Sequence, residues 1–534
     1  MFLSECNTPL LMAKMNKILN SQPRHQIGVM RKEDGTFTDS IEESLDLILK
    51  KCFPGCINYN KEKVDEIKAI GEESDSRGRI LKRKFKFITK NRVIQSIKST
   101  KTHKACGPDT IKPIVLRNLP ECALATLTGI YEGCLSAEYT PLTWRKANVI
   151  LIPKPGKPDY QKIGAFRPIT LSNHLFKTLE KLVLWHISEK TLREKPLNRN
   201  QHAFRNDSST ESAALQVVTQ IEDGLHKKKY TVGLFADISG AFDTVSGDAI
   251  INAMKEKGIS NEIVNWYEQY IGNRIATVKV QTASRTVSLN RGCPQGGCLS
   301  TLAWNLVFDQ LLDIFKKHGV NIAGFADDAC LLVSGDSLGH LYRRMNVAIQ
   351  SLNKWATERG LVISKEKTVG MVFTRKLKVT QPNIGLVLDG IPVRMVDETV
   401  YLGITFNSKL KWGTHIKNKL AIAKKKIFKY KGSMKANWGP PQTSMRWLYT
   451  GVIRPGITYG SLIWGRSVMN QFQGDLRRVQ GLALMLQGLF RKNTPRRSLE
   501  ILSGIEPLHL FVFNQMMKSD ICSNSIIFPS GSWA

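Results

Sequence analysis

The segment Ile322–Val333, IAGFADDACLLV, decides the fold. Two apolar runs meet at Asp327–Asp328, which reads as a β-hairpin with two adjacent carboxylates at its tip. Adjacent acids between apolar strands are costly, because like charges repel and neither is easily desolvated. A divalent cation held between them and a third carboxylate offsets that cost. Taken alone, an Asp–Asp pair is most often a plain polar turn. The apolar flanks and a separate strand-end acid argue otherwise here. That acid lies in Tyr230–Phe242, YTVGLFADISGAF, a mostly apolar strand delivering Asp237 at its C-terminal end. Ser239–Ala241 turns the chain, and a helix is predicted from about Ser246 to Lys257. Three such acids suit phosphoryl transfer with two metal ions roughly 3.5–4 Å apart. Oxygen-only ligands select Mg²⁺ or Mn²⁺ over zinc.

Around these segments lies a strongly basic chain. Its 534 residues hold 77 Lys and Arg against 45 Asp and Glu, a net charge of +32. Nucleic acid is the usual polyanion for such an excess, which weighs against a small-metabolite enzyme. Hydrophobic residues at 42% allow a sizeable core, and the length suggests about three or four units. Met1–Asn20 has no apolar run long enough for a secretory signal, Lys14 and Lys17 interrupting it. No stretch of about 18 apolar residues predicts a membrane span. Ten scattered cysteines read as reduced thiols: Cys52 and Cys56 have no nearby Cys/His pair, and Cys293 and Cys298 flank a Gly-rich segment. An intracellular protein is expected, not a secreted one.

The chain divides by pattern. Residues 1–99 are expected to be a helical, basic N-terminal extension. Its clearest helix is Ser40–Cys52, with Ser40 and Glu43 as a capping box, and a basic stretch follows at Arg77–Arg92. Residues 100–410 alternate short apolar runs with helical periods, the mark of a mixed α/β domain. Residues 411–510 are helical and basic, and 511–534 should be a frayed tail. Lys411–Lys435 contains nine lysines and no acid, with Ile416, Leu420, Ala423, Ile427 and Tyr430 at helical spacing. One face can pack while the others stay basic. Solvated helix faces usually mix both signs, so this one points to phosphates.

Further segments carry a resemblance. They are KACGPD (Lys104–Asp109), VILIPKPGK (Val149–Lys157), FRPITL (Phe166–Leu171), QHAFRNDSSTESAAL (Gln201–Leu215), RGCPQGGCLSTL (Arg291–Leu302), WATERGLVISKEKT (Trp355–Thr368), YLGI (Tyr401–Ile404) and SGIEPL (Ser503–Leu508). In this order, and with the two acidic segments, they resemble the reverse transcriptases of non-LTR (LINE-type) retrotransposons, nearest the jockey-like and ribosomal-DNA-inserting groups. The resemblance covers roughly residues 25 to 510 and implies an α+β right-hand polymerase. Fingers and an antiparallel palm would fill 100–410 and a helical thumb 411–510. Cys106 replaces the family's proline, Asn206–Asp207 is acidic where the family is usually basic, and Asn407 replaces a common Asp. None of these touches the three acids.

The resemblance implies roles. Asp237 and Asp327 would hold two Mg²⁺ ions, with Asp328 a neighbouring ligand and the Ile238 carbonyl a further oxygen. Phe242, five residues after Asp237, would exclude a ribonucleotide's 2′-OH; otherwise it is a core Phe. Lys154 and Arg167, on the two arms of a fingers hairpin, would grip a triphosphate as point charge and fork, or else be solvated cations. Gln295 and Gly296 open a turn before a helix at Thr301–Phe315, letting backbone approach a templating base pair; a plain loop is the alternative. Lys367 is a candidate acid toward pyrophosphate, or a surface lysine. Tyr401, Leu402, Gly403, Lys424 and Lys425 would face primer and template. The expected activity is RNA-directed DNA polymerisation from dNTPs onto a DNA primer, in nucleus and cytoplasm. Lys82–Lys86 is either a nuclear signal or part of the template surface. One rival reading is a truncated or domesticated copy that binds nucleic acid without turnover, since only about 100 residues precede KACGPD and no endonuclease constellation or Cys/His knuckle is legible. Another is a palm polymerase of a different class, against which Phe242 argues if RNA is the product.

Overall fold

The computed structural model describes residues 8–20, 28–32, 34–59, 85–206, 208–376, 384–432, 441–485, 490 and 493–525. Two expected signals, Asp207 and Lys435, the Arg77–Lys84 part of the basic stretch (with the Lys82–Lys84 part of Lys82–Lys86) and residues 526–534 of the expected frayed tail lie outside these residues.

The sheet that matters most runs in the order Arg394–Met395, Val369–Phe373, Tyr230–Ser239, Asp328–Gly335, Asn321–Phe325, with Val362–Ile363 also on Tyr230–Ser239. All pairings are antiparallel except that of Val369–Phe373 with Arg394–Met395. Tyr230–Ser239 is central and buried on both faces, which is why its sequence is nearly all apolar rather than alternating. Val232, Leu234, Ala236 and Ile238 enter one core with helices Ser300–Lys317, Leu338–Glu358 and His174–Glu189. Phe235 enters a second core on the opposite face. The predicted helices are present as Gly247–Lys257, with Ser246 as N-cap, and Ser300–Lys317.

A second sheet runs Ile57–Asn58, Ala283–Leu289, Arg274–Val280, Lys146–Pro153, Phe166–Ser172. Its last two strands are the hairpin expected around Lys154 and Arg167. The described part of residues 1–99 is not a separate extension. Helix Ile41–Cys52 buries Leu45 and Leu49 on this sheet, Ile57–Asn58 forms its edge strand, and helix Lys90–Ser99 buries Val93 and Ile97 in the first core. An amphipathic stripe is buried wherever an apolar sheet face is uncovered, whatever boundary composition suggests. The capping box is half formed: the Ser40 hydroxyl accepts from the Glu43 N–H at 3.0 Å, but the Glu43 carboxylate accepts from Asp39, not Ser40, at 2.7 Å.

The second core joins Phe235, Cys330, Leu332, Met371 and Phe373 to C-terminal helices that include Gly413–Gly432, Ser461–Met485 and Leu508–Ser525. The tail expected to fray from 511 is therefore helical as far as Ser525, with Val512 and Met516 buried. Packing against Ser461–Met485 supplies the stability that local capping signals did not advertise. Among the described residues, no helix is long and apolar enough to cross a membrane.

Candidate active site

The hairpin turns on two residues, Ala326 and Asp327, because Phe325 pairs with Asp328. Ala326 takes φ +56°, which a tight hairpin of this kind requires, and the Trp304 indole N–H holds its carbonyl at 2.8 Å. Asp328 therefore begins a strand, and its register partner is Asp237. Backbones so opposed lie about 4.5–5.5 Å apart. Residues two apart share a sheet face, so both acids project to the side of Phe235 and Cys330. The Ile238 N–H donates to the Asp327 carbonyl at 3.3 Å. The Ile238 side chain is buried, leaving only its backbone to offer. Contrary to expectation, the strand does not end at Asp237: it runs on to Ser239, and Ser364 N–H donates to the Asp237 carbonyl at 2.8 Å.

The three acids repel. Burial pushes the Asp328 carboxyl up to about 7, with the Asp327 and Asp237 charges adding to it. Asp327 is also raised, first by burial and then by Asp237, while Lys367 and Arg167 pull it back. The Lys367 ammonium donates to Asp237 Oδ2 at 2.8 Å. Among the described residues, no three of His, Cys, Asp and Glu form a group that could hold a metal ion, and Asp237 is paired with Lys367. The donor set still fits hard divalent cations. It consists of carboxylate oxygens whose mutual repulsion only positive charge relieves.

Lys154 follows the first arm of the fingers hairpin, and Arg167 sits on the second, opposite Ile152. The Lys154 ammonium donates to the Gly164 carbonyl at 3.0 Å, and its pKa is lowered by burial and then by Lys367 and Arg167. Three cations thus feel one another beside the acids, an arrangement that suits a polyanionic ligand.

Phe242 is half-buried in the short helix Ala241–Thr244, its ring 5.8 Å from Trp304 and 5.9 Å, edge-on, from Phe204. Gln295 donates from Nε2 to Asp243 Oδ2 at 2.7 Å and accepts the Thr170 N–H on its carbonyl at 2.8 Å. Gly296 has φ +118°, and a Cβ there would stand 2.7 Å from the Thr170 carbonyl. The close approach that demands glycine is thus to the fingers strand. Two acids that sequence reading missed hold this turn. Asp243 is pushed up to about 7 chiefly by burial. Glu180 is fully buried and also raised to about 7, and it accepts from the Cys298 and Leu299 N–H groups at 3.1 and 3.5 Å. Their one sequence signal is an acid among apolar residues, in AFD and in LEKLVL.

Tyr401 is buried, its ring 5.3 Å from Phe235 on the face that carries the acids, so it packs into the core beneath them instead of presenting itself to primer or template. Leu402 and Gly403 form the turn with φ +48° and +76°, and the Tyr459 hydroxyl donates to the Leu402 carbonyl at 2.7 Å. Lys424 is half-buried and Lys425 exposed on Gly413–Gly432. Asn407 Oδ1 accepts the Lys409 and Lys411 N–H groups, a turn-capping role its amide fills as an Asp would.

Residues 152–406 match the family described as "Reverse transcriptase (RNA-dependent DNA polymerase)". The chain is 26% identical over 484 residues to a Pol polyprotein from type-1 retrotransposable element R1 of Bradysia coprophila, covering 90% of this chain and 46% of that protein. It is 26% identical over 396 residues to a probable RNA-directed DNA polymerase from transposon BS of Drosophila melanogaster, covering 73% and 43%. The chain thus spans less than half the length of these curated relatives. An apo telomerase from Candida tropicalis aligns over 75% of this chain and 70% of its own at 11% identity, with a TM-score of 0.37, too low to carry an argument.

Proposed function

We propose that this chain, whose residues 152–406 match the reverse transcriptase family and which is similar to non-LTR retrotransposon polymerases, is an RNA-directed DNA polymerase that extends a DNA primer on an RNA template with dNTPs. The observation that carries the reading is the register pairing of Asp237 with Asp328, beside Asp327 in the turn. Bound Mg²⁺ or Mn²⁺ would activate the primer 3′-OH and neutralise the leaving pyrophosphate. Asp237, Asp327 and Asp328 would hold such ions, with the Ile238 carbonyl as a further oxygen. Lys154 and Arg167 would steady the triphosphate, and Phe242 would close the space a 2′-OH needs. Lys367, paired with Asp237, would give its proton to departing pyrophosphate. The acid-free lysine face of Gly413–Gly432 would follow duplex phosphates.

Primer extension on an RNA template by the purified chain tests this. Template-dependent dNTP incorporation is expected, falling at least about 1,000-fold in Asp327→Ala, a loss of several kcal/mol of transition-state stabilisation. Nucleic-acid binding without any extension would instead support an idle, domesticated copy.

A further inference from the structure

Phe204 is an aromatic side chain in the wrong place for ordinary packing. It is 54% exposed, and its backbone takes φ +56°, a left-handed conformation that is a genuine outlier for a bulky residue. Such strain persists only where the surroundings over-determine it. They do so here. On one side, the Ala203 carbonyl accepts from Asn305 Nδ2 at 3.0 Å, and the Ala203 N–H donates to Gln201 Oε1 at 3.1 Å. On the other, Arg205 donates to the Asn198 carbonyl at 2.5 Å and the Gln201 carbonyl at 3.3 Å. The His202 N–H donates to the Gly324 carbonyl at 2.9 Å, tying the loop to the strand that leads into the catalytic hairpin. What this frame delivers is the edge of the Phe204 ring against the face of Phe242, at 5.9 Å and 83°. Trp304 backs Phe242 from another direction.

We propose that Phe204 is a specificity-determining residue, the outer wall of the sugar pocket, which holds the Phe242 ring where it excludes the 2′-OH of a ribonucleotide. This deepens the polymerase reading and rests on Phe242 being the gate. An exposed aromatic edge on a rigid loop adds a contact surface at little entropic cost. It also removes the rotation by which the half-buried Phe242 could yield to a larger sugar.

The test compares kcat/KM for dNTP and rNTP incorporation in the wild type, Phe204→Ala, Phe204→Tyr, Phe242→Ala and the Phe204→Ala/Phe242→Ala double variant. Phe204→Ala should lower deoxy-over-ribo discrimination by about tenfold, the usual yield of one lost apolar contact. Phe204→Tyr should restore it. The double variant should discriminate no worse than Phe242→Ala alone, because the two rings act as one unit. The same ratio, read as equilibrium binding to a dideoxy-terminated primer–template complex, needs no turnover and answers for an idle chain too. If Phe242→Ala lowers discrimination and Phe204→Ala leaves it unchanged, or scales both nucleotides equally, the inference is overturned while the polymerase reading stands. If neither nucleotide binds the wild type, both are overturned.

Discussion

Asp328 and Glu180 have carboxyls pushed up to about 7, each chiefly by burial, and they sit in opposite surroundings. Glu180 is given donors: the first N–H groups leading into helix Ser300–Lys317 point at it, so its charge caps a helix end. Asp243 is treated likewise by Gln295. The other acids around Asp328 only add repulsion, and the nearest cation binds Asp237. A raised pKa therefore does not mark a working acid. What separates the two groups is whether the chain supplies the partner or leaves it to come from outside. Glu180 and Asp243 hold Gln295 and the following turn; in the proposed reading, the three aspartates would be partnered by bound metal ions.

Removing each acid should break the symmetry of their pKa values. Glu180→Ala leaves two buried N–H groups unpaired and should cost about 1–3 kcal/mol in chemical denaturation. Asp328→Asn should do the reverse. With its native pKa raised, the wild type loses stability as pH climbs from about 4 toward about 7 and has lost all of that contribution above it. In a metal chelator, the Asn variant should thus be more stable than wild type at pH 8, by about 1 kcal/mol or more, and indistinguishable at pH 4. Equal destabilisation by both substitutions would erase the distinction. The smallest effect is expected of Lys367→Met. Its ion pair joins an ammonium 60% exposed to a partly covered Asp237, so denaturation should change by less than about 1 kcal/mol.

The acidic hairpin and the apolar strand were legible because each is decided locally: a turn pair between β-formers, and a strand buried on both faces. Their meeting in register was not, since nothing local in either segment says that Asp237 opposes Asp328 rather than Asp327. Glu180 and Asp243 were passed over because their partners are backbone N–H groups and a glutamine amide more than 50 residues away, contacts without a pattern along the chain. Tyr401 was misplaced toward nucleic acid for a related reason: a motif gives order along the chain, while burial depends on which face packs. The N-terminal boundary and the start of the frayed tail were misjudged, over the described residues, because composition does not reveal which stripe another element will cover.

Counting Mn²⁺ ions by electron paramagnetic resonance, on the purified chain with an RNA-templated, dideoxy-terminated primer and matching dNTP, asks most directly whether the three aspartates form a metal centre. Two bound ions per chain are expected in the wild type, with loss of at least one in Asp237→Ala and in Asp327→Ala, each variant keeping its wild-type fold by circular dichroism. Unchanged ion counts in both variants would contradict the account.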